Sequence, residues 1–266
     1  MCCEGVWQQL SPEQESAPRA AVVVPHVRQL YNWDCGLACV LMVLRALGIH
    51  HQNLQSLSSL CPTTSIWTVD LAHLLRHFGL DVLFTTMTIG ANPEYARESF
   101  YMENMAEDEQ RIQRLFQGAS EAGIRGASEA GIRVQRRSVS AHELQSFLMA
   151  SSHLVVALVD KRRLGSGFLW GHAPDMACLP QYCGMQAGYT GHYIVICSYD
   201  PGTDRFEIRD PASPIESVTV SATCLDAARR SFGTDEDLLL ISTDGSLQPQ
   251  YHQAVSGVSE PPVGAS

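Results

Sequence analysis

The sequence predicts an α+β domain, with a helical first half that carries a buried helix and a second half built as an antiparallel sheet. Three observations carry this. Segments of helical length, capped by Asp or Ser and stopped by Gly, fall mainly before residue 150. Short apolar runs joined by turn residues crowd the stretch after it. Helices and strands are therefore segregated rather than alternating, which is the mark of α+β and not of a parallel α/β sheet.

Each element has its own local signal. AVVVPHVRQ, residues 21–29, reads as an extended lead-in. Asp34 then precedes CGLACVLMVLRALG, apolar on nearly all faces and ended by Gly48. Aspartate is a good cap and glycine a good stop, so a buried helix is expected from Cys35 to Leu47. TVDLAHLLRHF, Thr68 to Phe78, is a second helix, ended by Gly79. LDVLFTTMTI is a strand, and residues 96–117 look helical and charged. An identical octapeptide, GASEAGIR, follows twice, at 118–125 and 126–133. One unit is too short for a solenoid, so it reads as a local duplication in a surface helix or loop. RVQRRSV is a strand. Ser140 opens the helix SAHELQSFLMA, with Glu143 placed for a capping box. HLVVALVD is a buried strand, and residues 161–189, rich in Gly, Pro and Cys, form a long loop of the kind that often serves function. HYIVICSYD and RFEIRD are strands joined by the turn PGTD. A helix at 221–231 and a last strand, EDLLLIST, complete the domain.

The chain has 266 residues, 45% of them apolar, ample for one core. Residues 1–20 and 244–266 are polar and rich in Ser, Gln or Pro, so they are expected to be loose tails around a single domain at 21–243. The formal charge of −10 argues against nucleic acid as a partner, which needs basic patches. No apolar run is long enough to span a membrane. The N-terminus has neither a basic start nor an apolar core, so a cytoplasmic or nuclear location is expected. In that setting the nine cysteines should be free thiols, and Cys2 and Cys3 are a weak acylation signal.

The chemistry centres on Gln29-Leu-Tyr-Asn-Trp-Asp-Cys35-Gly36. Cys35 falls at the first turn of the buried helix, where unpaired amides and the helix dipole favour a thiolate, the nucleophilic form. Gly36 leaves room for a substrate, and Asp34 is expected to cap the helix. The Gln29 amide is a candidate donor to an oxyanion beside Cys35. A buried cysteine alone is more often inert, so a base is needed. His192 opens the strand HYIVIC after the flexible Gly188-Tyr-Thr-Gly191. Asp210 ends the paired strand, before Pro211. A hairpin about PGTD brings both to one open end, where Asp210 would orient the imidazole. His73 and His77, at i and i+4, have no acidic or cysteine partners nearby and read as a helix-surface pair.

The order Gln29, Asp34-Cys35-Gly36, His192 and Asp210-Pro211 resembles the papain-like superfamily, in the variety seen in bacteriocin-processing peptidases. The longer words QLYNWDCGLACVLMVLR, SIWTVDLAHLL, YTGHYIVICSYD, FEIRDPAS and FGTDEDLLLI resemble the plant-type guanylyl cyclase family and the animal guanylyl cyclase domain-containing proteins. The first resemblance implies a papain-like cysteine-hydrolase fold. The second implies conversion of GTP to cyclic GMP with Mg or Mn. In that family the proposed nucleotide centre lies on the cysteine's own stretch, matching Trp33 and Arg45, with Asn32 where the family has Ser, Lys or Arg.

Two enzymatic expectations and one other follow. The first is a thiol-dependent hydrolase or transferase with no cofactor, acting on a small molecule or peptide. The second is a metal-dependent guanylyl cyclase acting on a nucleotide. The third is a binding module that keeps the fold. No phosphate-cradling GxxxxGK[ST] loop is present. Asp235, Glu236 and Asp237 are the acids that could hold Mg²⁺, although a solvated approach to the last strand is the plainer reading, and no metal-binding residue is assigned.

Overall fold

The computed structural model describes residues 22–97, 105–124, 132–164 and 189–243. The two tails, Cys2 and Cys3, and most of the 161–189 loop lie outside the described residues. The helices are α1 (Cys35–Ala46), α2 (Leu54–Leu60), α3 (Thr68–His77), α4 (Met105–Ile124), α5 (Ala141–Met149) and α6 (Ala222–Arg229). The strands are β1 (Val82–Thr86), β2 (Ile132–Arg136), β3 (His153–Asp160), β4 (Gly191–Asp200), β5 (Arg205–Arg209), β6 (Val218–Ser221) and β7 (Leu238–Ser242).

The α+β class holds, but the sheet is larger than the sequence suggests. All seven strands form one sheet in the order β2-β1-β7-β3-β4-β5-β6. Two of them come from the first half of the chain. β1 and β2 pair in parallel, Val82 opposite Ile132, and every other pair is antiparallel. A parallel pair needs a crossover, and α4 lies in the connection that supplies it.

The strand sequences show where the helices go. Along β3, Leu154, Val156 and Leu158 join the core under α1 to α4, whereas Val155, Ala157 and Val159 join the core under α5 and α6. Alternate residues of a strand point to opposite faces, so a strand covered on both faces is apolar throughout. α1 lies on β4 and β3 and against α2 and α3. Every residue from Cys35 to Leu44 is buried, which explains a helix with no polar face.

Several local expectations are corrected. The charged helix is α4, Met105–Ile124, and Pro93–Arg97 forms a 3-10 turn. α2 escapes the pattern reading, yet its start carries a reciprocal Asn53–Ser56 capping box. Ser140 accepts from the Glu143 amide, as expected, but the Glu143 carboxylate turns to Arg137 at 2.8 Å. The two octapeptides diverge: Gly118–Ile124 of the first end α4, while Ile132-Arg133 of the second begin β2. Cys35, Cys39, Cys61 and Cys197 are free, whereas Cys224 is disulfide-bonded, against the expectation of free thiols throughout.

Candidate active site

Cys35 is the first residue of α1 and is 6% exposed. Asp34 before it is buried, but its side chain makes no cap on the helix. Instead, its Oδ2 accepts from the Leu30 amide at 3.1 Å and its Oδ1 from the Tyr31 amide at 3.0 Å. The expected capping role is therefore replaced by a loop-pinning one. The first turn of α1 keeps its amides without a side-chain acceptor, a local positive field at the sulfur. Gly36 also has a different reason from the expected one. A methyl group there would sit 2.9 Å from Leu71 Cδ1 and 3.1 Å from Tyr193 Cδ2, so glycine is set by the packing of α1 on α3 and β4.

β4 and β5 pair antiparallel, with Asp200 opposite Arg205 at the turn and Val195 opposite Arg209 toward the open end. His192 and Asp210 meet there. The His192 Nε2 lies 2.7 Å from Asp210 Oδ1, which also accepts from the Ala212 amide at 2.8 Å. His192 is 3% exposed. The Cys35 side chain is the ring's other electrostatic partner. With Nε2 on the carboxylate, Nδ1 is the ring nitrogen left for a second partner. Burial works against the charged ring. The hydrogen bond to Asp210 and the interaction with Cys35, with the negative charge on both, outweigh it and raise the imidazole to about 9. Asp210 moves the other way: burial raises it, but the imidazolium, the Ala212 amide and Lys161 hold it below the usual carboxylate range.

The lead-in is tied to this corner from behind. The Gln29 amide donates to Pro211 O at 3.0 Å, His26 Nε2 lies 2.9 Å from Asp210 O, and Arg209 Nε donates to Val24 O at 2.9 Å. The Gln29 side-chain Nε2 donates to Tyr31 O at 2.6 Å, which leaves it one further N–H, and Oε1 is enclosed without a partner.

In front of Cys35 lies a cavity of about 360 Å³. Its walls include Asn32, Trp33, Thr68, Tyr193, Asp235 and Asp237. Among the described residues that line it there is no Lys, Arg or His. Asn32 and Trp33 thus stand at the cavity, whereas Arg45 lies in the last turn of α1, at the far end of a buried helix about 18 Å long.

The three acids before β7 are not a solvated run. Asp235 accepts from Thr88 Oγ1 at 2.8 Å and Asn92 Nδ2 at 3.0 Å. Glu236 accepts from Ser138 Oγ at 2.5 Å and faces Arg229 and Arg230. Asp237 is 8% exposed, and burial lifts its carboxyl to about 8, against hydrogen bonds from Thr68 and Thr86. They diverge, and among the described residues no three His, Cys, Asp or Glu side chains converge as a metal cage would. Asp237, read from the pattern as one of a solvated run, is buried at the cavity instead. Its signal is position: an acid directly before LLLI, a run buried on both faces, has no solvated face to occupy.

Sequence comparison places this arrangement in a family. A model of the guanylylate cyclase family matches residues 24–241. The chain belongs to that family. Guanylyl cyclase 1 of Arabidopsis thaliana is 48% identical to it over 221 residues, which cover 83% of this chain and 76% of the relative. The family match runs from the lead-in to β7 and so includes Cys35, His192, Asp210 and Asp237. Among the described residues no helix is long and apolar enough to cross a membrane.

Proposed function

We propose that this guanylylate cyclase family member is an enzyme whose reaction runs through a papain-like thiol–imidazole site, with Cys35 the nucleophile, His192 the acid–base and Asp210 the orienting carboxylate. The observation that carries this reading is the His192–Asp210 pair, Nε2 to Oδ1 at 2.7 Å, with Cys35 at the first turn of α1 as the ring's other electrostatic partner. An imidazole that keeps its proton at neutral pH stabilises negative charge on the neighbouring sulfur. The thiolate forms a bond to a carbonyl carbon, whose oxygen takes up the charge. The α1 amides and the second Gln29 N–H are the donors for it. As the intermediate collapses, the bond to the leaving group breaks and His192 gives that group its proton. Water then adds to the acyl carbon and its proton returns to His192. The carbon–sulfur bond breaks, which regenerates the thiolate.

A second reading is favoured by the comparisons: cyclisation of GTP to cyclic GMP with Mg or Mn, as the names of the family and of the plant relative say. Asn32, Trp33 and Arg45 are the nucleotide-binding residues in that reading. It needs a clamp for the triphosphate and a metal to offset its charge. The acidic walls of the Cys35 cavity and the divergence of Asp235, Glu236 and Asp237 weigh against that cavity as the place for it.

One set of assays separates the two. Wild type, Cys35→Ala and His192→Ala are given 4-nitrophenyl acyl esters and, separately, GTP with Mn²⁺, and cyclic GMP is measured by mass spectrometry. The thiol reading expects ester turnover that falls by at least about a hundredfold in both variants, the usual size of a lost acid–base or nucleophilic group. Cyclic GMP formed by wild type and retained by Cys35→Ala would overturn it in favour of the cyclase.

A further inference from the structure

We propose that the cavity in front of Cys35 binds a cationic nitrogen of the substrate, an ammonium or amidinium group, and that Asp237 is the residue that binds it. This names a substrate class for the thiol site and rests on that reading.

The argument begins with what Asp237 lacks. It is more than nine-tenths buried, it lines the cavity, and its Oδ1 has no hydrogen-bond partner. The other buried acids among the described residues have partners: Asp34 two amides, Asp70 Arg111 and the Trp67 amide, Asp108 Arg111 and the Trp67 indole, and Asp160 the Arg162 amide. A buried carboxyl oxygen without a partner costs stability and persists where a ligand completes it. The charge of the walls gives the sign of that ligand. Asp235 stands on the same wall, and no basic side chain is among the described residues lining the cavity. A neighbouring groove shares Trp33, Thr64 and Ser65 with it and carries Glu107 further out, while Asp108 there is paired with Arg111. Trp33, Trp67 and Tyr193 supply aromatic walls, which suit an organic cation better than an anion. Burial keeps a proton on Asp237 at neutral pH, and a bound cation displaces that proton to solvent.

Cys35 itself is the reporter. The full-length chain is treated with the cationic reagent 2-(trimethylammonio)ethyl methanethiosulfonate or its anionic 2-sulfonatoethyl counterpart. The pH is about 8.5, where a free thiol is half ionised. Modification of Cys35 is followed by peptide mass spectrometry, and the rate ratio is divided by that for free 2-mercaptoethanol. The expected cation preference is about tenfold in wild type, the size of one charge-assisted contact, and near unity in Asp237→Asn. An unchanged ratio in Asp237→Asn, or an anion preference in wild type, overturns the proposal. If Asp237→Asn does not fold, wild type alone decides it. n-Butylammonium should slow Cys35 labelling by neutral methyl methanethiosulfonate more than butyrate does, and equal or absent protection overturns the assignment. His192→Ala keeps the two readings apart. If it leaves all labelling rates unchanged, the thiol reading fails, while the charge ratio still judges the cavity.

Discussion

His192 has two partners on one ring, and both favour its proton. The ordinary value for histidine is about 6.5, against about 9 here. The folded state therefore holds this proton more tightly than the unfolded chain does. The stabilisation is fully present below about pH 6.5 and is lost as pH rises through about 9. Urea unfolding of wild type should show stability declining across that window. In Asp210→Asn the decline should flatten, and the His192 ring should titrate nearer its ordinary value by NMR. A ring that still titrates near 9 in Asp210→Asn would mean that Cys35, and not the carboxylate, governs it. At this scale Cys35, His192 and Asp210 can be nominated from the sequence, because a cysteine at a helix start and two polar residues at the open end of a hairpin are local patterns. The neighbours of Cys35 mislead. Asp34 and Gly36 have obvious local roles, yet their partners are Leu30, Tyr31, Leu71 and Tyr193, two of them distant in the chain. Asp237 misleads for a related reason, since its burial depends on strands from both halves.

Among the elements, α1 is the most constrained. It holds Cys35 at one end and packs on β4 and α3, with Gly36 closely approached by Leu71 and Tyr193. Gly36→Ala should cost about 1–3 kcal/mol, the usual penalty for overpacking a filled core, and Gly36→Val should prevent folding. Thermal melts test this, and an unaltered Gly36→Ala would show that Leu71 and Tyr193 have room to yield. Because Tyr193 lines the cavity, Gly36→Ala should also change the rate of Cys35 labelling. The ends of α1, α3, β3, β4 and β5 are legible because glycine stops, such as Gly48 and Gly79 at positive φ, and turn residues are local. β6 and α2 are short and weakly patterned. The parallel pairing of β1 with β2 is a long-range choice, made by the α4 crossover, that no local signal reports.

Across the whole molecule, the duplicated octapeptide shows context overriding sequence. Ala119 of the first copy is fully buried in α4, and Ile132 of the second is 2% exposed in β2. Identical units thus feed a helix in one place and a strand in the other. Deleting residues 126–133 leaves one unit to supply both the buried alanine and the isoleucine. The shortened chain should fold, with a loss of roughly 1 kcal/mol or less, because the cost of a connection changes slowly with its length. Its urea midpoint checks this, and a chain that aggregates would show that both copies are structural.

The docking of the lead-in onto Pro211 means that the site joins the two ends of the domain, and that has a consequence in time. Cys35 leaves the ribosome first, His192 and Asp210 much later, and Asp237 last, 237 − 35 = 202 residues after the thiol. At about 5–20 residues per second, that interval is roughly 10–40 seconds. Throughout it the nascent chain carries Cys35 without the residues that surround it in the fold. The order of synthesis by itself keeps Cys35 apart from His192, Asp210 and Asp237 until the domain that confines it is complete.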